Sequence, residues 1–338
     1  MSYIPVTLNH FRAVKAWADS SDAQVDLSVR TFNLEVKLRN RYYTLKPRFQ
    51  VSNKGRMAYT TQLVKDVTGF IGWLPYDILS WDISQDKLLF KKFLKEAGLD
   101  SPATWPSVDK AEGGFLVKHS AGSFGYQISG PYRNAGEAPD AEAAEVAEPE
   151  KKSAGVDFAE QFIAGTNLKV WFWGATAFYA HVHGYPTVIG DGVSTVQALV
   201  ESRLARIGKT LDEGESNGNM FASLAFQQVR LSDILAKGRE IWIDFRYGRQ
   251  YASTSPTAES DNDLGRVNAH VRQQIDAMGV KAGQESLRRF KAPVLYSVDG
   301  VVDEAGKVWW LEINSNPILP PDGYPLVFLS LFGAAKKR

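Results

Sequence analysis

The stretch PVLYSVDGVVDEAGKVWWLEINSNP, residues 293–317, decides how this chain reads. It divides into two apolar, β-branched-rich runs around the turn residues Asp303 to Gly306, which predicts a hairpin. The second run ends in a polar tip, where KVWWL gives way to Glu312, Asn314 and a proline. Alternate residues of a strand point to one face, so Glu312 and Asn314 share a face, and the hairpin brings Asp299 close to them. Two carboxylates and an amide form an all-oxygen donor set, which suits magnesium rather than zinc. A strand end with solvated polar groups gives the same local pattern.

Working outward, GFLVKHSAGSFG (residues 114–125) sets Lys118 at the end of an apolar strand before a turn of small residues. Such a turn can cradle phosphate oxygens on backbone N–H groups, with the ammonium adding charge. A plain hairpin turn fits these residues equally well. Neither a Walker-A loop nor a dinucleotide fingerprint is present.

The totals narrow the classes. A chain of 338 residues can bury a sizeable core in two or three lobes. It has no cysteine, which excludes disulfides, thiolate zinc sites and a cysteine nucleophile. Lys and Arg total 39 against 38 Asp and Glu, which argues against a nucleic-acid partner. The opening MSYIPVTLNHF lacks a secretory layout. The apolar runs Val170 to Ala180 and Leu326 to Ala335 are too short for a membrane span of about 20 residues. The chain therefore reads as cytoplasmic, with no membrane partner.

Elsewhere the pattern is α+β, with mostly antiparallel connections. A hairpin is expected over Asn33 to Val51, and Ser84 is expected to cap a helix whose apolar face is Leu89, Phe90, Phe93, Leu94 and Ala97, with Gly98 as its stop. GYQISGPY follows as a strand, then a polar tract from Arg133 to Asp157. The strands DFAEQFI and LKVWFWG and the return TAFYAHVH come next, and Ser194 is expected to cap a second helix. Residues 209–220 read as a loop, REIWIDFRYGRQYAS as a strand pair, and the residues from Leu264 to Met278 as a helix. Trp171, Phe172 and Trp173 read as core and interface packing, and Asp191 as a turn residue.

Five segments in order carry a resemblance: DKLLFKKFLKEAGLDSPAT (86–104), FLVKHSAGSFG (115–125), AEQFIAGTNLKV (159–170), YPTVIGDGVSTVQALV (185–200) and YSVDGVV with WWLEINSNP (296–317). Together they resemble the ATP-grasp superfamily, in the branch of cyanophycin synthetase, the ribosomal-protein glutamate ligases and bifunctional glutathione synthetase. The resemblance spans residues 84–325 and leaves residues 1–83 unmatched. It implies an ATP-grasp fold, two α+β subdomains clasping ATP (residues 84–165 and 166–338), after a small mixed N-terminal domain at 1–83. It also implies an ADP-forming carboxylate–amine ligase that works through an acyl phosphate on an amino acid, a peptide or a peptide-like metabolite.

Residue by residue, the resemblance implies that Lys87 and Lys118 contact ATP phosphates. The turn with Ser120, Gly122, Ser123 and Gly125 would close over the triphosphate. Glu160, Gln161, Phe162 and Ile163 would be the hinge that reads adenine, mostly through backbone groups, and Asn167 would take the ribose position, where relatives usually carry an acid. Asp299, Glu312 and Asn314 would hold Mg²⁺. His119 and His183 depart from the family pattern, at positions where relatives often have proline and arginine. Arg246 and Arg249 could substitute as guanidinium anchors. His181 and His183 alternate on a strand and can face a ligand together, and His183 joins Arg246 and Arg249 as a catalytic candidate; one histidine hydrogen-bonded in a partly buried setting, and arginines on a solvated strand edge, give the same pattern. A kinase with a non-amine acceptor, or an inactive nucleotide-binding module, would share most of these motifs. The intact set of Lys118, Asp299, Glu312 and Asn314 argues against the inactive module, and the aromatic content favours a homodimer.

Overall fold

The computed structural model describes residues 3–53, 56–121, 128–138, 155–206, 208–211, 218–246 and 261–333. It has the α+β class expected, built from antiparallel sheets. The N-terminal sheet comprises β1 (Gln24–Leu27), β2 (Leu34–Leu38), β3 (Arg41–Asn53), β4 (Arg56–Thr60) and β5 (Val67–Leu74), with the long β3 pairing with β2, β4 and β5. The hairpin expected at Asn33 to Val51 is β2 and β3. Helix α1 (Tyr3–Ser21) precedes this sheet. The short α2 (Asp82–Gln85) and α3 (Lys87–Ala97) follow it.

A second sheet runs in the order β6 (Thr104–Trp105), β9 (Asp157–Gln161), β7 (Phe115–His119), β8 (Ile128–Tyr132). The central sheet runs β11 (Thr176–His183), β10 (Thr166–Trp173), β14 (Leu295–Val302), β15 (Val308–Asn314). Between β11 and β14 lie β12 (Thr187–Ile189), α4 (Val196–Ala205), α5 (Gly218–Phe226), β13 (Glu240–Trp242) and α6 (Ala269–Phe290). Helix α7 (Tyr324–Phe332) closes the order.

The central sheet separates two chemistries by strand alternation. Leu168, Val170 and Phe172 of β10 join Tyr296, Val298 and Ile313 in a core under α6. Trp171, Trp173 and Leu295 face the other way, into a core with the N-terminal sheet, α1 and α7. The aromatic triplet is therefore packing, as its sequence suggested. The apolar run from Leu326 is the buried side of α7, where Phe328 meets Trp17 at 4.1 Å between ring centroids. Among the described residues no helix is long and apolar enough to cross a membrane.

Helix α6 can lie against the β10–β11 turn because Gly279 and Gly283 are one helical turn apart on its buried face. A side chain at Gly279 would collide with the Ala175 carbonyl, and a Cβ at Gly283 would stand 2.7 Å from the Ala175 Cα.

Three local expectations are corrected. Asp86, not Ser84, caps α3, its carboxylate accepting from Leu88 N at 2.7 Å and Leu89 N at 3.1 Å, while Ser84 Oγ donates to the Trp81 carbonyl inside α2. A carboxylate at a helix N-terminus also meets the positive end of the dipole, which favours Asp86. Leu89 is exposed, and Lys91 is buried on the helix face in its place. Gly98 ends the helix in the left-handed conformation, as expected. Thr195, not Ser194, caps α4, because Ser194 Oγ donates to Asp191 at 2.6 Å. Asp191 is thus the turn residue expected, accepting also from Val193 N and Ser194 N, and these bonds hold its carboxyl down at about 2. Finally, α5 begins within the stretch read as a loop, because Met220 and Leu224 find a core against α4, β12 and β13.

Candidate active site

The face of the central sheet that carries Trp171 also carries, further along its strands, a row of titratable side chains. Register sets His181 of β11 opposite Lys169 of β10, Lys169 opposite Asp299 of β14, and Asp299 opposite Glu312 of β15. Strict alternation would put Trp310, Glu312 and Asn314 on one face. A register shift leaves Leu311 as an extra residue between the pairs Gly300–Trp310 and Asp299–Glu312. This bulge turns Trp310 into the core and leaves Glu312 and Asn314 beside Asp299.

The three oxygen donors expected at the tip are therefore together. Asp299 accepts from Lys169 Nζ at 2.7 and 3.0 Å and from Asn314 Nδ2 at 2.9 Å. Burial, then the neighbouring charge of Asp299, pushes the Glu312 carboxyl up, and Lys87, Lys169 and Lys118 only partly oppose this. Asp299 is thus paired with Lys169, whereas the facing Glu312 forms no ion pair among the described residues. The donors are all oxygen or amide groups, so they fit a hard divalent ion. Among the described residues no group of three or more His, Cys, Asp or Glu is arranged to hold a metal, and Asn314 is the further oxygen donor that the tip offers beside Asp299 and Glu312.

A second cluster stands beside α3 on the small sheet. Lys118 of β7 and Glu160 of β9 lie on the same face, because Phe158 and Leu116 are their respective register partners. Glu160 is 1% exposed; one carboxylate oxygen takes the Lys118 ammonium, and Lys91 Nζ stands 2.7 Å from the other. Burial works to raise the Glu160 carboxyl, yet the two ammonium groups, Lys118 foremost, outweigh it and hold it below the usual range. Lys91 also donates to the Trp310 carbonyl at 3.1 Å, which fastens α3 to β15. Lys87, at the first position of α3, donates to the His119 carbonyl at 3.1 Å. Burial lowers its ammonium pKa, and Glu312 is the largest influence opposing that. Ser120 Oγ lies 3.3 Å from Asp86 Oδ2 and accepts from Val156 N. Lys87, Lys118, Ser120, Glu160, Asp299, Glu312 and Asn314 thus belong to two linked charge clusters.

Other expected residues are placed differently. Gln161 N and Phe162 N donate to the carbonyls of Ala103 and Gly114, and Ile163 O accepts from Tyr185. Those hinge groups are engaged within the protein, and the Phe162 ring packs against Phe226, Trp242 and Phe245. Asn167 is 5% exposed, and its amide donates to the Phe245 carbonyl at 3.0 Å. It ties β10 to the segment in which Arg246 forks onto the buried Asp244, at 2.8 Å from Nη2. The Arg246 guanidinium is therefore matched by Asp244. His183 is exposed at the same end of the sheet, opposite Asn167, with its ring 5.3 Å from that of His181. Gly122, Ser123, Gly125 and Arg249 lie outside the described residues.

Sequence reasoning missed Lys91, Lys169 and Arg48. Lys169 could have been found, since it is two positions from Asn167 on a strand. Lys91, one helical turn after Lys87, also carried a signal.

No protein-family model matches the chain, and no curated protein matches it. Solved structures do. A bifunctional glutathione synthetase from Pasteurella multocida is 16% identical, covering 95% of this chain and 44% of that one, at a TM-score of 0.41. A D-alanine–D-alanine ligase from Bacillus anthracis is 12% identical over 74% of this chain and 64% of its own, at 0.38. The ATP-grasp ligase PsnB, complexed with minimal precursor, is 12% identical over 75% and 61%, at 0.33. This chain thus spans less than two thirds of the length of each.

Proposed function

We propose that this protein is an ATP-grasp ligase that joins a carboxylate to an amine, releasing ADP and phosphate through an acyl phosphate. The observation that carries the reading is the pairing of two charge clusters. One is the buried lysine group around Glu160; the other is the facing carboxylate pair Asp299–Glu312, in which Asp299 is paired with Lys169 and Glu312 forms no ion pair among the described residues.

Phosphoryl transfer asks for positioning and charge neutralisation more than covalent help from the protein. Lys87 and Lys118 supply ammonium groups whose charge reaches Glu312, and these would contact the polyphosphate. Asp299, Glu312 and Asn314 supply the oxygen donors for magnesium, which would neutralise charge on the transferred phosphoryl group. Lys169 orients Asp299 by bonding to both of its carboxylate oxygens. In the reaction proposed, a substrate carboxylate oxygen attacks the γ-phosphorus and ADP leaves. The amine nitrogen then forms the amide bond, phosphate departs, and the nitrogen loses a proton. The substrates are a small-molecule or peptide carboxylate and an amine.

The test is ADP release from Mg-ATP by the purified protein, screened against pools of amino acids and short peptides. Amine-dependent ADP release, with a product heavier by one condensed amine, is the expected result. ADP release with phosphate carried to an acceptor and no new amide would replace the ligase by a kinase. Absence of MgATP binding would remove the reading.

A further inference from the structure

Arg48 lies in the N-terminal sheet, outside every motif that suggested the function. It is 1% exposed, and burial lowers its pKa. It forms no ion pair among the described residues, and the nearby Asp77 carboxylate is bonded to Lys46 at 2.8 Å. Its hydrogen bonds go to neutral acceptors: Nη1 donates to Asn316 Oδ1 at 2.9 Å, and Nη2 to the carbonyls of Asp77 at 3.0 Å and Tyr76 at 3.4 Å. A buried cation without a carboxylate is expensive to keep, and an apolar side chain would fill the space at lower cost. The bonds indicate what its retention achieves.

Asn316 stands two residues beyond Asn314 and is held on all sides. Its Oδ1 also accepts from Leu79 N at 3.1 Å, while its Nδ2 donates to Leu79 O at 2.8 Å and to Ser315 Oγ at 3.1 Å. Ser315 Oγ in turn lies 2.9 Å from Ser84 Oγ, whose own hydrogen goes to the Trp81 carbonyl. Arg48 therefore ties three pieces together: the N-terminal sheet, the linker at residues 76–84, and the end of the strand that presents Glu312 and Asn314.

We propose that Arg48 is a positioning residue for the candidate site, fixing through Asn316 the strand tip that holds Glu312 and Asn314 against the nucleotide and its magnesium. This rests on the ligase reading, and it gives residues 1–83 a part in the chemistry through one side chain.

The experiment is calorimetric titration of MgATP, and of ATP with EDTA, into the full chain and into Arg48→Met, Asn316→Ala and the double variant. Hydrogen exchange at residues 314–316 is followed in parallel. Each single variant is expected to weaken MgATP binding on the order of tenfold or more, with much less change for ATP in EDTA. The double variant should be no weaker than either single one, because both cut the same tether. Exchange at the tip should rise in all three. Arg48→Lys, which keeps the charge without the fork, should fall between wild type and Arg48→Met, and serves if the methionine variant does not fold. Variants that bind MgATP as the wild type does overturn this inference alone. A wild type that binds no MgATP overturns the ligase reading and this inference with it.

Discussion

The two charge clusters of this molecule are opposites in their electrostatics. Around Glu160, one buried carboxylate meets two ammonium groups, and the carboxyl is held down. Around Glu312, two carboxylates face each other across adjacent strands, and one of them is pushed up. The first cluster is complete within the chain and fastens the small sheet to α3. In the second, Lys169 pairs Asp299 and leaves Glu312 without an ion pair among the described residues. The two clusters thus differ in pairing: both oxygens of Glu160 meet a lysine, whereas Glu312 faces another carboxylate.

The largest effect that would break this comparison is on stability. Glu160→Ala strands Lys91 and Lys118 in the interior and should destabilise the fold by about 3–5 kcal/mol in chemical denaturation. A loss below about 1 kcal/mol would mean that water or a shifted side chain replaces the carboxylate. Glu312→Gln and Asp299→Asn should do the reverse: the fold stays intact and ATP turnover falls on the order of 10²–10³-fold. Wild-type turnover in either variant would take the carboxylate pair out of the chemistry. Lys118→Ala should weaken ATP binding on the order of tenfold to hundredfold, read by titration, with Glu160 left to Lys91 alone. Unchanged affinity there would confine Lys118 to the framework.

The smallest effect sharpens the contrast, because the two carboxyls have stability contributions of opposite sign. Glu160, held down in the fold, contributes stability fully above the usual carboxylate range and loses it as pH falls through its lower folded value. Glu312, pushed up, favours the fold when protonated, and that advantage is lost as pH rises from its ordinary value through the raised one. Denaturation midpoints of wild type and Glu312→Gln should therefore diverge as pH rises above the ordinary glutamate value, the wild type being the less stable, and magnesium with ATP should narrow the gap. Parallel pH profiles would show that Glu312 is not perturbed.

Much of the fold was legible because it rests on local periodicity. The hairpins Asn33 to Val51 and Pro293 to Asn316 and the strands carrying Lys118 and Lys169 follow from alternation and turn residues. The caps of α3 and α4 were each misplaced by a residue or two, because several polar residues compete at each helix start and only the fold decides which carboxylate or hydroxyl reaches the N–H groups. Helix α5 escaped notice because its apolar residues have no meaning until α4, β12 and β13 are beside them. Among the candidate residues, the proximity of Asp299, Glu312 and Asn314 was legible, whereas the engagement of Arg246 by Asp244 and of Asn167 by the Phe245 carbonyl was not.

By itself the sequence determined the strand-and-turn pattern, the absence of thiol chemistry and the all-oxygen character of the donor set, since these depend on residue type and near neighbours. Only the tertiary structure decided that a bulge at Leu311 aims Glu312 at Asp299, that Lys91 and Lys118 converge on Glu160, and that Arg48 reaches Asn316. Each of these is a contact between distant parts of the chain, and its energy depends on burial and separation, which no local pattern encodes.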